Sequence, residues 1–149
     1  MEDFLMNKNQ QRMYNYGRLI NDVMSDVEKL QDRMSPQFQT LRTAIDDDKL
    51  ADVAADDFAD IQSSFANGTA EYRTLAEKLN AASAPARLLG NHKLLVGAFD
   101  RFVQGCQEMT DSLQDGGKID VAKFDAAEQA QDAETDKITK YIQKISLLV

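Results

Sequence analysis

The 149-residue chain predicts an all-α fold: an antiparallel up-down-up-down four-helix bundle with an extra short helix between the first and second long helices. Three observations carry that prediction. Large apolar residues recur at Leu88, Leu95, Phe99, Phe102, Met109 and Leu113, with His92 and Cys106 filling the gaps, so that steps of four and three alternate. This is the spacing of one seam on a helix packed against other helices. The links at residues 80–84 and 115–117 are short, which makes the helices they join antiparallel neighbours. No stretch alternates apolar and polar residues with β-branched enrichment, so little or no strand is expected.

The elements follow in order. Residues 1–10 are polar, rich in Asn and Gln, and expected to fray. Met13, Tyr16, Ile20, Val23, Val27, Leu30 and Met34 then mark a first long helix. It is expected to stop near Ser35-Pro36, because Ser caps helices and Pro suits a first helical position. Phe38, Leu41 and Ile45 make 36–46 a short second helix, or a kinked extension of the first. Asp46-Asp47-Asp48 is the next break. A second long helix carries the seam Ala51, Ala54, Phe58, Ile61, Phe65, Gly68, Tyr72, Leu75 and Leu79. Pro85 opens the third, and Asp115-Gly116-Gly117 ends it. Asp120 caps the last helix, with Ile119 before the cap and Phe124 four positions after it, the spacing of a hydrophobic staple. Phe124, Ala127, Ile138, Tyr141, Ile142, Ile145 and Leu148 carry that helix to the end. Residues 1–149 read as one domain.

Short connections also predict which residues share a layer. Leu75 falls near His92, Gly68 near Phe99, and Ala130 and Ala133 near Phe102 and Phe99. Bulky rings would then face small residues, as a dense core requires. His92 is expected in a core polar layer with Tyr72 and Tyr141. Gln131 and Glu134 are placed at the seam's edge, with Ala127, Ala130 and Ala133 facing inward.

Composition bounds the function. The apolar share of 43% and charged share of 28% are those of a globular domain. A net charge of −8 argues against binding nucleic acid, which needs clustered Lys and Arg, and against docking on anionic lipid. It suits a basic protein partner. Cys106 is the single cysteine, so no internal disulfide forms and no cysteine metal site is available. Met1 to Met6 show no basic region followed by an apolar run, and no apolar run of about 18 residues exists. A cytoplasmic protein without membrane insertion is the expectation, with an envelope-associated or exported protein as the alternative.

No cofactor or metal motif is visible. His92 lacks the glutamate three residues earlier that a di-iron bundle uses, since Leu89 stands there. His92 and Cys106 lie 14 residues apart, about 21 Å along one helix, too far for a nucleophile pair. Phosphate-binding loops and nucleophile elbows are absent. Two surface features stand out. Asp48, Asp52, Asp56 and Asp60 form an i, i+4 acidic stripe, a patch for a basic partner if it is more than a solvated face. Gly90 and Gly97 form a helix-contact stripe that would suit a homodimer.

The segment from Ala84-Pro85 through Asn91-His92-Lys93-Leu94-Leu95 to Phe99, Phe102 and Gly105 resembles a pattern in uncharacterised helical-bundle proteins of Gram-positive bacteria. There a proline opens a helix, followed by a His-x-Leu-type turn, an aromatic and a glycine. The resemblance covers about a third of the chain and implies a helical bundle. It transfers no catalytic residue. Some such proteins look like lipoprotein domains, whose leader and lipid-attachment cysteine are not found here.

A non-catalytic protein-interaction or structural module is therefore the expected function, and not an enzyme. The alternative is a bundle that binds a small apolar ligand. That would need a cavity of several hundred Å³, expected around His92 and Tyr141.

Overall fold

Asn7 starts the first helix. Its side chain accepts the Gln10 N–H at 2.8 Å, while Gln10 Oε1 accepts the Asn7 N–H at 3.0 Å, the reciprocal pair of a capping box. The computed structural model describes residues 7–149. Met1 to Met6, on which the expectation of no leader rested, lie outside the described residues. Residues 7–10, expected to fray, instead form an anchored helix start.

Helix α1 then runs from Lys8 to Asp46 without interruption, and Pro36 lies inside it. The expected stop at Ser35-Pro36 does not occur. Proline removes the bond to the Asp32 carbonyl, but Asp32 and Pro36 are both exposed, so water can take that carbonyl. The turns beyond it are well rewarded: Leu41 is fully buried, and Phe38 stacks on Phe124 with centroids 5.7 Å apart. Residues 36–46 are thus an extension of the first helix. The short element between the first two long helices is a 3-10 turn at Leu50–Asp52.

Asp48 ends α1 in the left-handed region, at φ 53. Lys49 N–H reaches the Ala44 carbonyl at 2.7 Å and Asp48 N–H the Ile45 carbonyl at 3.2 Å. This is the Schellman closure, usually built on glycine. Helix α2 spans Ala55–Ala81, and every expected seam position from Phe58 to Leu79 is buried. Ala51 and Ala54 precede the helix and are exposed, so they leave the seam. A 3-10 turn at Ala86–Leu88 leads into α3, Leu89–Ser112. Two short strands, β1 (Leu113–Gln114) and β2 (Lys118–Ile119), pair antiparallel around Asp115-Gly116-Gly117. Gly116 and Gly117 stand at φ 81 and 78, which glycine alone adopts freely. Helix α4, Val121–Leu148, starts where Asp120 accepts the Lys123 N–H at 3.1 Å.

The four long helices pack as the predicted all-α bundle. Arg42, near the end of α1, pairs with Asp125 at the start of α4, and Gly17 lies against Val149 at the other end. So α1 and α4 are antiparallel, which closes the up-down-up-down circuit. The core has two parts. One surrounds Tyr16, Val23, Leu79, Leu95, Phe99 and Ile145; the other surrounds Leu41, Phe58, Phe65, Phe124 and Ala127.

Several layer details differ from expectation. The space above Gly68 is filled by Met34 of α1, whose Sδ and Cε lie where a Cβ would go. On α4, Ala127 is buried and Ala130 half-buried, but Ala133 is exposed and Glu134 faces inward at 8% exposure. The charge on Glu134 is met by Arg101 and Lys137, and this makes its burial tolerable.

Candidate functional site

The core polar layer is not the expected one. His92 is buried, and its Nδ1 pairs with the Tyr16 hydroxyl of α1 at 2.8 Å, ring edge to ring face. Tyr72 packs instead edge-to-face on Phe102, with centroids 5.0 Å apart. Tyr141 is half-buried against the same cluster. Pairing helices through their short links does not reach Tyr16, because α1 meets α3 across the bundle. Burial lowers the His92 pKa from its ordinary value, against the pull of a hydrogen bond with the Leu79 backbone. Burial also pushes the Tyr16 hydroxyl up to about 12. The pair is a neutral structural contact, and Tyr16 shares its buried cluster with Ile20, Leu79, Leu88 and Leu95.

Glu134 accepts from Arg101 Nε at 3.0 Å and from Lys137 Nζ at 3.4 Å, both on Oε1, while its buried Oε2 has no partner among the described residues. Burial pushes its pKa up, but the Arg101 hydrogen bond and charge, reinforced by Lys137, hold it below the usual carboxylate value. Gly97 belongs to this arrangement. A Cβ there would meet Arg101 Nη1 at 3.3 Å, so the glycine makes room for the guanidinium that reaches Glu134. Gly90 has nothing within 4 Å. The close approach of α3 to α4 is at Gly105, where a Cβ would lie 3.0 Å from Gln131 Cγ.

The acidic stripe is not one helical row. Asp48 closes α1, Asp52 sits in the 3-10 turn, and only Asp56 and Asp60 lie on α2. All four are exposed. Asp56, in the first turn of α2, complements the helix dipole. No group of three or more His, Cys, Asp or Glu among the described residues could hold a metal ion. No helix there is long and apolar enough to cross a membrane.

The arrangement with binding capacity lies between the two parts of the core. A cleft of about 350 Å³ has a floor of Phe65, Tyr72, Phe102, Cys106 and Met109, with Met34 and Phe38 on one wall. Its mouth lies between α1 and α4, where Gln31, Ser35 and Asp132 are exposed and Glu128 and Thr135 half-buried. The polar atoms of the interior are mostly engaged with each other. Thr110 donates to the Cys106 carbonyl at 2.9 Å, its hydroxyl pairs with that of Thr69 at 3.1 Å, and Gln131 Nε2 donates to the Gly105 carbonyl at 3.1 Å. Burial pushes the Cys106 thiol up to about 12, so it stays un-ionised and behaves as a small apolar group. The surface offered to a ligand is hydrocarbon, aromatic ring and sulfur.

The cleft has a sequence cause in α4. From Asp125 to Lys137 the chain reads DAAEQAQDAETDK, without one apolar residue larger than alanine. At this height α4 has nothing bulky to set against Phe102 and Met109. The bundle stays open there while Phe124 closes one end and Ile145 the other.

Compared with protein families, curated proteins and solved structures, the chain matches none.

Proposed function

We propose that the chain is a non-catalytic binding module that holds a small apolar molecule in the cleft between α1 and α4. The carrying observation is the cleft itself: an interior of rings and sulfur whose hydroxyl and amide groups are largely satisfied within the protein. Its volume lies at the lower end of small-molecule sites. Neither His92 nor Tyr141, around which the cavity was expected, lines it. The groups suited to chemistry are occupied elsewhere: His92 by Tyr16, and Cys106 by burial.

The test is titration with Nile red, a neutral apolar dye that brightens when it leaves water. Saturable enhancement with one site per chain is expected. Thr110→Leu, which adds bulk beside Cys106, should weaken it severalfold while the far-UV circular dichroism stays helical. Wild-type protein that gives no saturable enhancement would remove the proposal.

A protein-interaction role has separate support on the outer face of α3. Leu89 and Leu94 are 42% and 50% exposed, and the neighbouring Gly90 has open space beside it. A second copy of the chain packing there would bury both leucines. Light scattering at high concentration checks it, and a clean monomer rules out the homodimer.

A further inference from the structure

The chemistry of the cleft's mouth selects among apolar ligands, given that the cleft is the binding site. We infer that the occupant is a small amphiphile with a cationic head, an alkyl- or arylamine, and that fatty-acid-like anions are rejected. Fifteen residues line the cleft, and among them Glu128 and Asp132 are the only charged ones. Both are carboxylates at the opening, on successive turns of α4. Asp132 has no ion pair among the described residues.

Arg42 is the cation nearest Glu128, and it does not reverse this balance. Its guanidinium is shared by Asp46 at 2.8 Å, Asp125 at 2.8 Å and Glu128 at 3.1 Å. Three carboxylates against one guanidinium leave an excess of negative charge beside the mouth. Asp132 adds to it. A ligand carboxylate seated there would lose part of its hydration, meet like charge and find no unshared cation. An ammonium would find Asp132 free and a field of the right sign.

The interior fixes the other half of the molecule. Phe65, Phe102, Met109 and the un-ionised Cys106 accept an alkyl chain or an aromatic ring, and the flexible Met34 and Met109 can adjust to its shape. Tyr72 is 3% exposed, and its hydroxyl makes no hydrogen bond among the described residues. It leaves one polar contact inside for a ligand that carries a matching group.

Octylamine, octanol and octanoate share one tail and differ only in head charge. Isothermal titration of the full chain at about neutral pH, with Nile red displacement in parallel, is expected to rank them amine, alcohol, carboxylate. Asp132→Asn, at an exposed position that leaves the fold intact, should cut the amine's advantage over the alcohol by roughly two- to fivefold, the range of an exposed ion pair. The readout is the ratio of amine to alcohol affinity in the variant against the same ratio in the parent. Octanoate binding as well as octylamine would overturn the inference while the cleft remains a binding site. A variant in which the amine keeps its full advantage would overturn it too. If neither the dye nor any of the three binds, the cleft reading itself fails and the head-group inference falls with it.

Discussion

Replacing Tyr16 by Phe removes one oxygen atom from the middle of the bundle and leaves the ring in place. Tyr16 and His92 are 2% and 5% exposed, and the hydroxyl sits 2.8 Å from Nδ1. The variant leaves a ring nitrogen buried without a partner, at a cost of about 1–3 kcal/mol. For a chain of this size that lowers the melting temperature by roughly 2–12 °C. Adding His92→Leu removes the orphaned nitrogen, so the double variant should be more stable than the sum of the two single losses predicts. Urea unfolding followed by circular dichroism measures all three. The same pair sets a pH dependence. The folded His92 value lies below 6.5, so under that pH the unfolded chain binds more protons than the folded one. Stability from this group is complete above 6.5 and falls as pH drops from there to the folded value. The slope is at most about 1.4 kcal/mol per pH unit. His92→Leu should flatten that fall. A Tyr16→Phe variant as stable as the parent, or a parent that gains stability between about pH 7 and about pH 5, would refute this account of the layer.

Three further outcomes follow from particular contacts. Glu134 has a folded value below 4.5, so its stabilisation is present above 4.5 and is lost as pH falls through the folded value. Glu134→Gln should therefore flatten the acid limb of urea midpoints measured between about pH 5 and about pH 3. Gly68→Ala forces the Met34 thioether aside, and the free space on that side is the cleft. A melting temperature within a few degrees of the parent, with Nile red binding reduced, is expected, because helix propensity of about 1 kcal/mol offsets the displaced packing. Asp48→Gly relieves the left-handed cost at the end of α1 and should stabilise the fold by about 0.5–1 kcal/mol in the same unfolding assay.

The periodic seams of α2 and α3 were legible because each seam residue from Phe58 to Leu79 and from Leu88 to Leu113 is buried against the rest of the bundle. Proline at position 36 misled, because its cost is greatest where the freed carbonyl is buried, and here Asp32 and Pro36 are both exposed. The partner of His92 was not legible from chain connectivity. Tyr16 lies 76 residues away, on a helix with no short link to α3. Asp48 looked like one acid in a row. Its role is set by backbone torsion, which charge counting does not see. Glu134 looked like an edge residue, because nothing in the spacing of alanines says that Arg101, 33 positions earlier, can bring a neutralising charge to it.

The cleft was written in the sequence as an omission. Pattern reading collects the large apolar residues and passes over places where one is expected and missing. In α4 the run from Asp125 to Lys137 spans nearly four turns, enough for three or four inward positions. They are filled by Ala127, Ala130, Gln131 and Glu134. A leucine in place of Gln131 would add about 1.5–3 kcal/mol of burial and fill part of the cleft. A protein whose only task was to fold would gain from that exchange. Of the four, Gln131 lines the cleft, and its amide is tied to the Gly105 carbonyl, so that wall of the open space is shaped by a specific hydrogen bond. Stability forgone at one height, between the buried Phe124 and the buried Ile145, is what the proposed binding role requires.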